Sequence, residues 1–307
     1  MVSLSQSKSD KWTADQIPDQ RGKIALITGS NSGLGYSTAK ALARKGCDII
    51  LACRSKEKSI EAKNKLKINF PNANIICMEL DLSDLRNVSE KANEIKNNFS
   101  HLDLLVNNAG IMHPPKTLSA QGYEIQFAVN HLAHMLLTLK LQSLMIKGHK
   151  ARVITVTSGA QFFGKVGWDR IKAENYNKWE SYANSKLANV MFALELHHKI
   201  KEKGVASLAA HPGVAKTNLF TAQKPKPNIL EELSLNIFNP LFQSSDMGAL
   251  PQLYAATSPE ASSGEHYGPK YNFRGYPKLS PTAPSALNSL EREKLWVKSE
   301  EILSKFI

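Results

Sequence analysis

The most constraining feature of this chain is a regular alternation of short apolar runs with longer segments of helical period. The first three runs are IALIT, DIILAC and NIICMEL, and helical segments over 34–45, 56–69 and 83–98 follow them. The runs LDLLV, RVITVT and GVASLAA continue the series, with helical segments near 121–146 and 179–202 between them. Strands that alternate with helices form right-handed βαβ units. The sequence therefore predicts an α/β fold: a doubly wound parallel sheet of six to seven strands with helices on both faces.

The chain of 307 residues is long enough for a sizeable core, and nothing in it indicates a second module. We predict one domain over 21–307, preceded by a polar leader over 1–20. Past His211 the alternation stops at a segment rich in Pro, Asn and Lys, and helical patterns resume near 228–255 and 285–305. The segment about 220–245 is either a flap over a site or an irregular surface connection.

Composition narrows the classes of function. The formal net charge is +12, but the lysines are spread through the predicted helices and are not gathered with aromatic residues, so we expect no nucleic-acid partner. The apolar runs are too short to cross a membrane, and the N-terminal stretch has no signal-peptide core. Cys47, Cys53 and Cys77 lack zinc-site spacing and are typical of free thiols in a reducing compartment. We therefore expect a soluble, cytoplasmic protein without a metal site.

The segment TGSNSGLG at 28–35 places three glycines directly after the first predicted strand. In a doubly wound sheet the first strand-to-helix turn faces the crevice in which dinucleotides bind, and glycine lets the backbone approach a pyrophosphate. The spacing is GxxxGxG, and the Lys-Ser/Thr pair of a Walker loop does not follow it. Taken alone, this segment is also compatible with an ordinary tight turn.

Four further motifs follow in order: NNAG at 107–110, Ser158 after a strand, YANSK at 182–186 and HPG at 211–213. Together with the glycine turn they resemble the classical short-chain dehydrogenase/reductases, which have a single Rossmann domain. The stretches ACRS, NHLAHMLLT and SYANSKLANVMFALEL resemble the retinol-dehydrogenase-like branch, a neighbour of the light-dependent protochlorophyllide reductases. The resemblance is strong over about 22–220 and looser beyond.

The second group of motifs suggests acid–base chemistry. Tyr182 and Lys186 are four residues apart on a predicted helix and so share one face. An ammonium group beside a phenol favours the phenolate, which would let Tyr182 exchange a proton with an alcohol or carbonyl oxygen. Ser158 ends a strand at the crevice, where its hydroxyl can bond the reacting oxygen. The resemblance adds Asn130 as support for a water relay, so the expected catalytic residues are Asn130, Ser158, Tyr182 and Lys186.

The resemblance also implies contacts to a nicotinamide dinucleotide. The glycine turn would hold the pyrophosphate, the strand end near 81 the adenine, NNAG the adenosine ribose, and HPG and its successors the nicotinamide. The expected cofactor residues are Gly29, Ser30, Asn31, Ser32, Gly33, Leu34, Gly35, Arg54, Asp81, Leu82, Asn107, Ala109, Gly110, Tyr182, Lys186, Pro212, Gly213, Val214 and Thr217.

The end of the second strand indicates which dinucleotide is bound. Enzymes selective for NAD place a carboxylate there for the ribose hydroxyls. This chain has Cys53 followed by Arg54, while Asp48 stands at the start of the strand. The Arg54 guanidinium suits a phosphate, and Ser55 can add a hydroxyl. We expect NADP(H) to be preferred over NAD(H); the alternative is that Arg54 is only a solvated residue opening the next helix.

We interpret the chain as an NADP-dependent oxidoreductase that transfers a hydride between NADP(H) and a small, apolar carbonyl or alcohol substrate, with Tyr182 as acid and base. Homo-oligomerisation is left open. Two other functions also stay open: a light-driven reductase of a tetrapyrrole double bond, and a non-enzymatic nucleotide sensor with the same fold. NNAG and the scarcity of cysteines argue against the first, and the complete catalytic set argues against the second.

Overall fold

The computed structural model describes residues 11–168, 170–215 and 243–307. Within these residues the sheet has eight strands: β1 Ile24–Thr28, β2 Asp48–Cys53, β3 Ile75–Glu79, β4 Leu104–Asn107, β5 Arg152–Val156, β6 Ala206–Ala210, β7 His266–Pro269 and β8 Pro277–Leu279. The strand order is β3-β2-β1-β4-β5-β6-β7-β8, and only the β7–β8 pair is antiparallel. The doubly wound α/β fold is confirmed, with one antiparallel edge strand added to the parallel strands that the sequence predicts.

Helices cover both faces of the sheet. In the described ranges they are α1 Gly33–Arg44, α2 Lys56–Asn69, α3 Leu85–Asn98, α4 Ile125–Phe127, α5 Ala133–Ile146, α6 Lys178–Ile200, α7 Ser245–Thr257, α8 Pro284–Leu287 and α9 Ser289–Leu303. Successive strand residues point to opposite faces, so Leu26 joins the core under α3, α5, α6 and α9, while Ile27 joins the core under α1, α2 and α7. Two separate apolar cores thus hold the layers together.

The helix predicted near 121–146 is interrupted. A π-helical turn, Ala128–Leu132, separates α4 from α5, and the Ala133 N–H donates to the Ala128 carbonyl five residues back. Asn130 lies in the middle of this turn and is fully buried. Single π-helical turns occur often at functional sites, because the extra residue changes the direction of neighbouring side chains.

The last helix, α9, covers the outer face of α6. The Trp296 ring stacks on Phe192, with centroids 5.8 Å apart and planes 13° apart. The buried Arg292 guanidinium lies 3.4 Å from the Glu195 carboxylate. Ser299 Oγ lies 3.0 Å from His131 Nε2, which belongs to the π-helical turn. Helix α9 therefore supports both the predicted catalytic helix and the segment that carries Asn130.

Parts of the predicted domain plan fall outside the described residues, namely the first half of the leader and the flap over 220–242. Residues 11–20 of the leader pack on the domain: Ile17 and Gln20 are buried, and the Trp12 ring lies 5.2 Å from that of Tyr254. The helix predicted near 228–255 is seen from Ser245, where α7 begins. None of the helices in the described ranges is long and apolar enough to cross a bilayer.

Candidate active site

The glycine turn between β1 and α1 adopts a conformation that side chains would not permit. Gly29 and Gly33 have φ values of 64° and 55°, in the left-handed region that favours glycine. A Cβ on Gly35 would lie 2.5 Å from the Gly29 carbonyl oxygen and 2.6 Å from Asn108 Nδ2. The N-cap residue Ser32 makes no side-chain capping hydrogen bond. The first turn of α1 therefore keeps its N–H groups available for an anion.

The ends of β1 and β4 are joined by the NNAG segment. Thr28 Oγ1 accepts from the N–H groups of Asn108 and Ala109, both at 2.9 Å. The Asn108 side chain donates to the Thr28 carbonyl at 2.7 Å, and Gln252 from α7 donates to Asn108 Oδ1 at 3.3 Å. These bonds fix the floor of the crevice at the topological switch point, where the chain leaving β1 and the chain leaving β4 turn to opposite faces of the sheet.

A cleft of about 380 Å³ lies above this floor. Its lining includes twelve of the predicted cofactor residues: Gly29, Asn31, Ser32, Gly33, Leu34, Gly35, Arg54, Ala109, Gly110, Tyr182, Lys186 and Pro212. Six further lining residues were not predicted: Lys58, Asn108, Ile111, Met112, Val156 and Thr157. Lys58 carried a usable signal, since it is a basic residue one helical turn beyond Arg54, and Asn108 lies inside the NNAG motif.

The other predicted cofactor residues have different surroundings. Ser30 and Asn107 are buried, and their side chains donate to the Ile27 carbonyl at 2.8 Å and to Thr138 Oγ1 at 3.0 Å. One Asp81 carboxylate oxygen accepts from the N–H and the hydroxyl of Ser83. Leu82 is buried, and Gly213 and Val214 lie beside Phe273. Thr217 lies outside the described residues. Their contact with a cofactor stays a prediction.

Two of the predicted catalytic side chains, Tyr182 and Lys186, line the cleft, whereas Ser158 and Asn130 are not among its lining residues. Helix α6 begins at its N-cap Asn177, whose side chain accepts from the N–H groups of Trp179 and Glu180. Tyr182 and Lys186 are both buried, and Lys186 Nζ lies 5.7 Å from the centroid of the Tyr182 ring. Lys186 Nζ donates to the Val156 carbonyl at 3.2 Å, and the Ser158 side chain lies near enough to the Tyr182 phenol to influence its pKa.

Asn130 holds the far wall of the cleft. Its Oδ1 accepts from the Ile111 N–H at 2.9 Å, and its Nδ2 donates to the Ile111 carbonyl at 3.0 Å. The same Nδ2 donates to Ser185 Oγ at 2.9 Å. The Asn130 amide thus links α6 to Ile111, which lines the cleft. Its part in a water relay stays a prediction.

Burial dominates the protonation of the two central groups. It raises the pKa of Tyr182 to about 12, although the Ser158 hydrogen bond lowers it in part. It also lowers the pKa of Lys186 to about 8. The sequence argument expected the ammonium of Lys186 to lower the pKa of Tyr182. In this structure the desolvation of the phenolate outweighs any such effect, and the Tyr182 phenol is protonated at neutral pH.

The outer end of the cleft is positively charged. Arg54 follows β2, and Lys58 lies in the first turn of α2; both side chains are exposed. Among the described residues, neither the Arg54 side chain nor the Lys58 side chain makes a hydrogen bond or an ion pair. The Ser55 hydroxyl is already engaged, since it accepts from the Lys58 N–H and donates to the Glu57 carboxylate. Two unpaired cations at this point suit a phosphate group more directly than Ser55 does.

Histidines surround the site without forming a metal centre: within the described ranges no group of three His, Cys, Asp or Glu side chains could hold a metal ion. His134 Nε2 lies 2.9 Å from Thr28 Oγ1, and its Nδ1 lies 3.0 Å from the Asn130 carbonyl. His211 accepts from the Gly213 N–H at 3.2 Å and lies next to His266, with ring centroids 5.3 Å apart. These rings brace the loops around the cleft.

Comparison with known proteins identifies the protein family. The short chain dehydrogenase family profile matches residues 23–228. Retinol dehydrogenase 13 from Homo sapiens is 35% identical over 287 residues, which cover 92% of this chain and 85% of that protein. An uncharacterized protein from Mycobacterium Paratuberculosis is 32% identical with a TM-score of 0.79, covering 96% of this chain and 98% of its own. L-sorbose reductase from Gluconobacter frateurii, solved with NADPH and L-sorbose, shares the fold at 21% identity and a TM-score of 0.66, with coverage of 81% and 95%. The chain belongs to the short-chain dehydrogenase family, in its retinol-dehydrogenase-like branch.

Proposed function

We propose that this protein is an NADP(H)-dependent oxidoreductase that interconverts a carbonyl group and an alcohol. The observation that carries the proposal is one continuous cleft that is lined by Tyr182 and Lys186 at its inner end and by unpaired Arg54 at its outer end. The light-driven tetrapyrrole reductase and the nucleotide sensor receive no comparable support from the geometry.

The residues present fit a nicotinamide dinucleotide. Gly35 leaves a space that a Cβ would fill, and the uncapped first turn of α1 offers N–H groups to a pyrophosphate. Asn108, Ala109 and Gly110 line the middle of the cleft, between this turn and Tyr182. When bound, NADP(H) supplies the hydride, and the protein orients the reactants and handles the proton.

Each catalytic side chain has one task in this proposal. Tyr182 donates a proton to the carbonyl oxygen during reduction and accepts it back from the alcohol during oxidation. Its raised pKa keeps the phenol protonated, which suits the reducing direction. Ser158 would bond the reacting oxygen, and Lys186 would hold the nicotinamide ribose. In reduction the carbonyl carbon gains the hydride and the oxygen gains the proton, which gives the alcohol and NADP⁺.

The test is a panel of aldehydes and ketones with NADPH, followed by the loss of nicotinamide absorbance. We expect turnover of at least one apolar carbonyl compound in the dark. Tight NADPH binding without turnover of any member would favour the sensor instead. A parallel assay with a tetrapyrrole, in the dark and under illumination, separates the light-driven alternative, because only that reaction requires light.

We also propose that Arg54 selects NADP(H) over NAD(H). NADPH should bind at least about 10-fold more tightly than NADH, a difference of about 1.4 kcal/mol, because the guanidinium can bond a 2′-phosphate that NADH lacks. Arg54→Ala should shrink the preference and leave NADH affinity nearly unchanged, and adding Lys58→Ala should shrink it further. Calorimetric titration of both cofactors measures these effects.

Lys56→Ala is the matched control, since Lys56 is exposed at the start of α2, the helix that carries Lys58, but does not line the cleft. It should leave the preference unchanged. Equal affinities for NADPH and NADH in the unmodified protein would overturn this assignment without affecting the proposed chemistry at Tyr182.

Three further properties are proposals of the same kind. We infer a cytoplasmic location from three free cysteines, of which Cys47 and Cys53 are buried; fractionation of cells tests it. The flap over 220–245 and the homo-oligomer stay predictions, to be tested by ligand-dependent proteolysis and by sedimentation.

A further inference from the structure

His113 is held in a conformation that few residues adopt. It follows Met112, which lines the cleft, and has a φ of 56°. Its N–H donates to Gln126 Oε1 at 2.9 Å, and the buried Gln126 side chain donates in turn to the Lys178 carbonyl at 3.0 Å. A left-handed non-glycine residue beside a site is strained unless its surroundings fix it. Here the Gln126 amide fixes His113 against the start of α6.

The His113 ring lies between two aromatic side chains. Its centroid is 3.6 Å from that of Trp179 and 5.5 Å from that of Tyr182, which it meets edge-on at 72°. The Nε2 atom is enclosed and has no hydrogen-bond partner among the described residues. Burial and the nearby Lys178 ammonium lower the pKa of His113, so the ring is neutral at neutral pH. A neutral imidazole can both donate and accept a hydrogen bond.

An apolar contact alone does not explain a histidine here. Phenylalanine would fill the same space without leaving a buried polar atom unpaired, which is costly. Trp179, which covers the ring, is 64% exposed and lies in the first turn of α6, so it can move without opening the core. Phe162 and Phe163 are also exposed, in the turn after Ser158. An apolar ligand that displaces Trp179 would reach both Tyr182 and His113.

We propose that His113 is a substrate-binding residue that selects apolar carbonyl compounds bearing a second oxygen on the neighbouring carbon, such as 1,2-diketones and α-hydroxy ketones. This inference rests on the proposed reductase function. Tyr182 bonds the reacting oxygen, and His113 bonds the second one, with Trp179 against the apolar remainder. Two hydrogen-bonding rings in edge contact match two oxygens on adjacent carbons. A site built for such a bond discriminates against the analogue that lacks the oxygen.

The test compares 1-phenyl-1,2-propanedione with propiophenone, which has the same skeleton and lacks the second oxygen. His113→Phe keeps an aromatic ring against Trp179 and removes both nitrogens. We expect kcat/KM for the dione to fall about 10-fold, the effect of one lost hydrogen bond of about 1.4 kcal/mol, while propiophenone changes less than about 2-fold. Since each substrate is compared with itself in the unmodified enzyme, the difference in their intrinsic reactivity cancels.

His113→Asn covers the case in which the first variant does not fold, because asparagine tolerates a positive φ; its shorter side chain should still lose selectivity for the dione. Lys116→Ala, exposed in the same loop, is the control and should change neither rate. An equal fall for both substrates would show that His113 only positions Tyr182 and would overturn the inference. So would unchanged rates, or an enzyme that reduces other carbonyl compounds but not the dione. Failure to reduce any carbonyl compound would instead refute the proposed function.

Discussion

Replacing Tyr182 with phenylalanine should lower turnover about 1,000-fold, because the variant keeps the ring and removes the only proton that the phenol can give. The ring contacts with His113 and Lys186 remain. The Ser158 hydroxyl still accepts from the Ala160 N–H at 3.2 Å. The expected result is therefore an intact fold with nearly unchanged NADPH affinity and almost no catalysis.

Steady-state rates on the best substrate of the carbonyl panel, together with a calorimetric titration of NADPH, measure both quantities. Tyr254→Phe is the control: its hydroxyl bonds Glu260 at the surface, and its ring packs on Trp12, away from the cleft. That variant should retain full activity. Near-normal turnover of Tyr182→Phe would refute the acid–base assignment.

Acidification from pH 7.5 to pH 5 should remove about 8 kcal/mol of unfolding free energy. Burial lowers the pKa values of four histidines from the ordinary 6.5, to about 3 for His131 and His266 and about 4 for His134 and His211. Below pH 6.5 the unfolded chain binds these protons and the native state does not, so stability falls as the pH drops toward the native values. At pH 5 each histidine costs about 2 kcal/mol. Their sum is comparable to the whole stability of a typical domain.

Urea titrations at several pH values between 7.5 and 4.5 measure the loss. His266→Gln should reduce the slope of unfolding free energy against pH by about 1.4 kcal/mol per unit in the acid range, the effect of one proton. A stability that stays level down to pH 5 would show that the buried rings protonate in the native state.

The regular part of the fold was predictable because local periodicity sets it. Strands β1 and β2 occupy the residues of IALIT and DIILAC, and α2 occupies 56–69. The positions of β7 and β8 were not predicted, since HYGP and PKL contain breakers and owe their extended form to pairing with β6 and with each other. The π-helical turn at Asn130 was also missed, because the apolar pattern continues through it without a break.

The residues of the site also divide into those that the sequence predicted and those that it did not. Residues inside contiguous motifs, such as Gly35, Gly110 and Tyr182, line the cleft as predicted. Lys58 and His113 lie outside the motifs, and the packing of α2 and of the loop after β4 brings them to the site, although the spacing of Lys58 from Arg54 was a usable signal. The raised pKa of Tyr182 could not be predicted from the sequence spacing of Tyr182 and Lys186 either, because it depends on burial and not on the distance to Lys186.

The packing of α9 on α6 affects how the chain can fold during its synthesis. Phe192 and Trp296, which stack on each other, are about 100 residues apart in sequence. At about 5–20 residues per second, a ribosome needs about 5–20 s to make the segment between them. During that interval the outer aromatic face of α6, the helix that carries Tyr182 and Lys186, stays uncovered and open to aggregation.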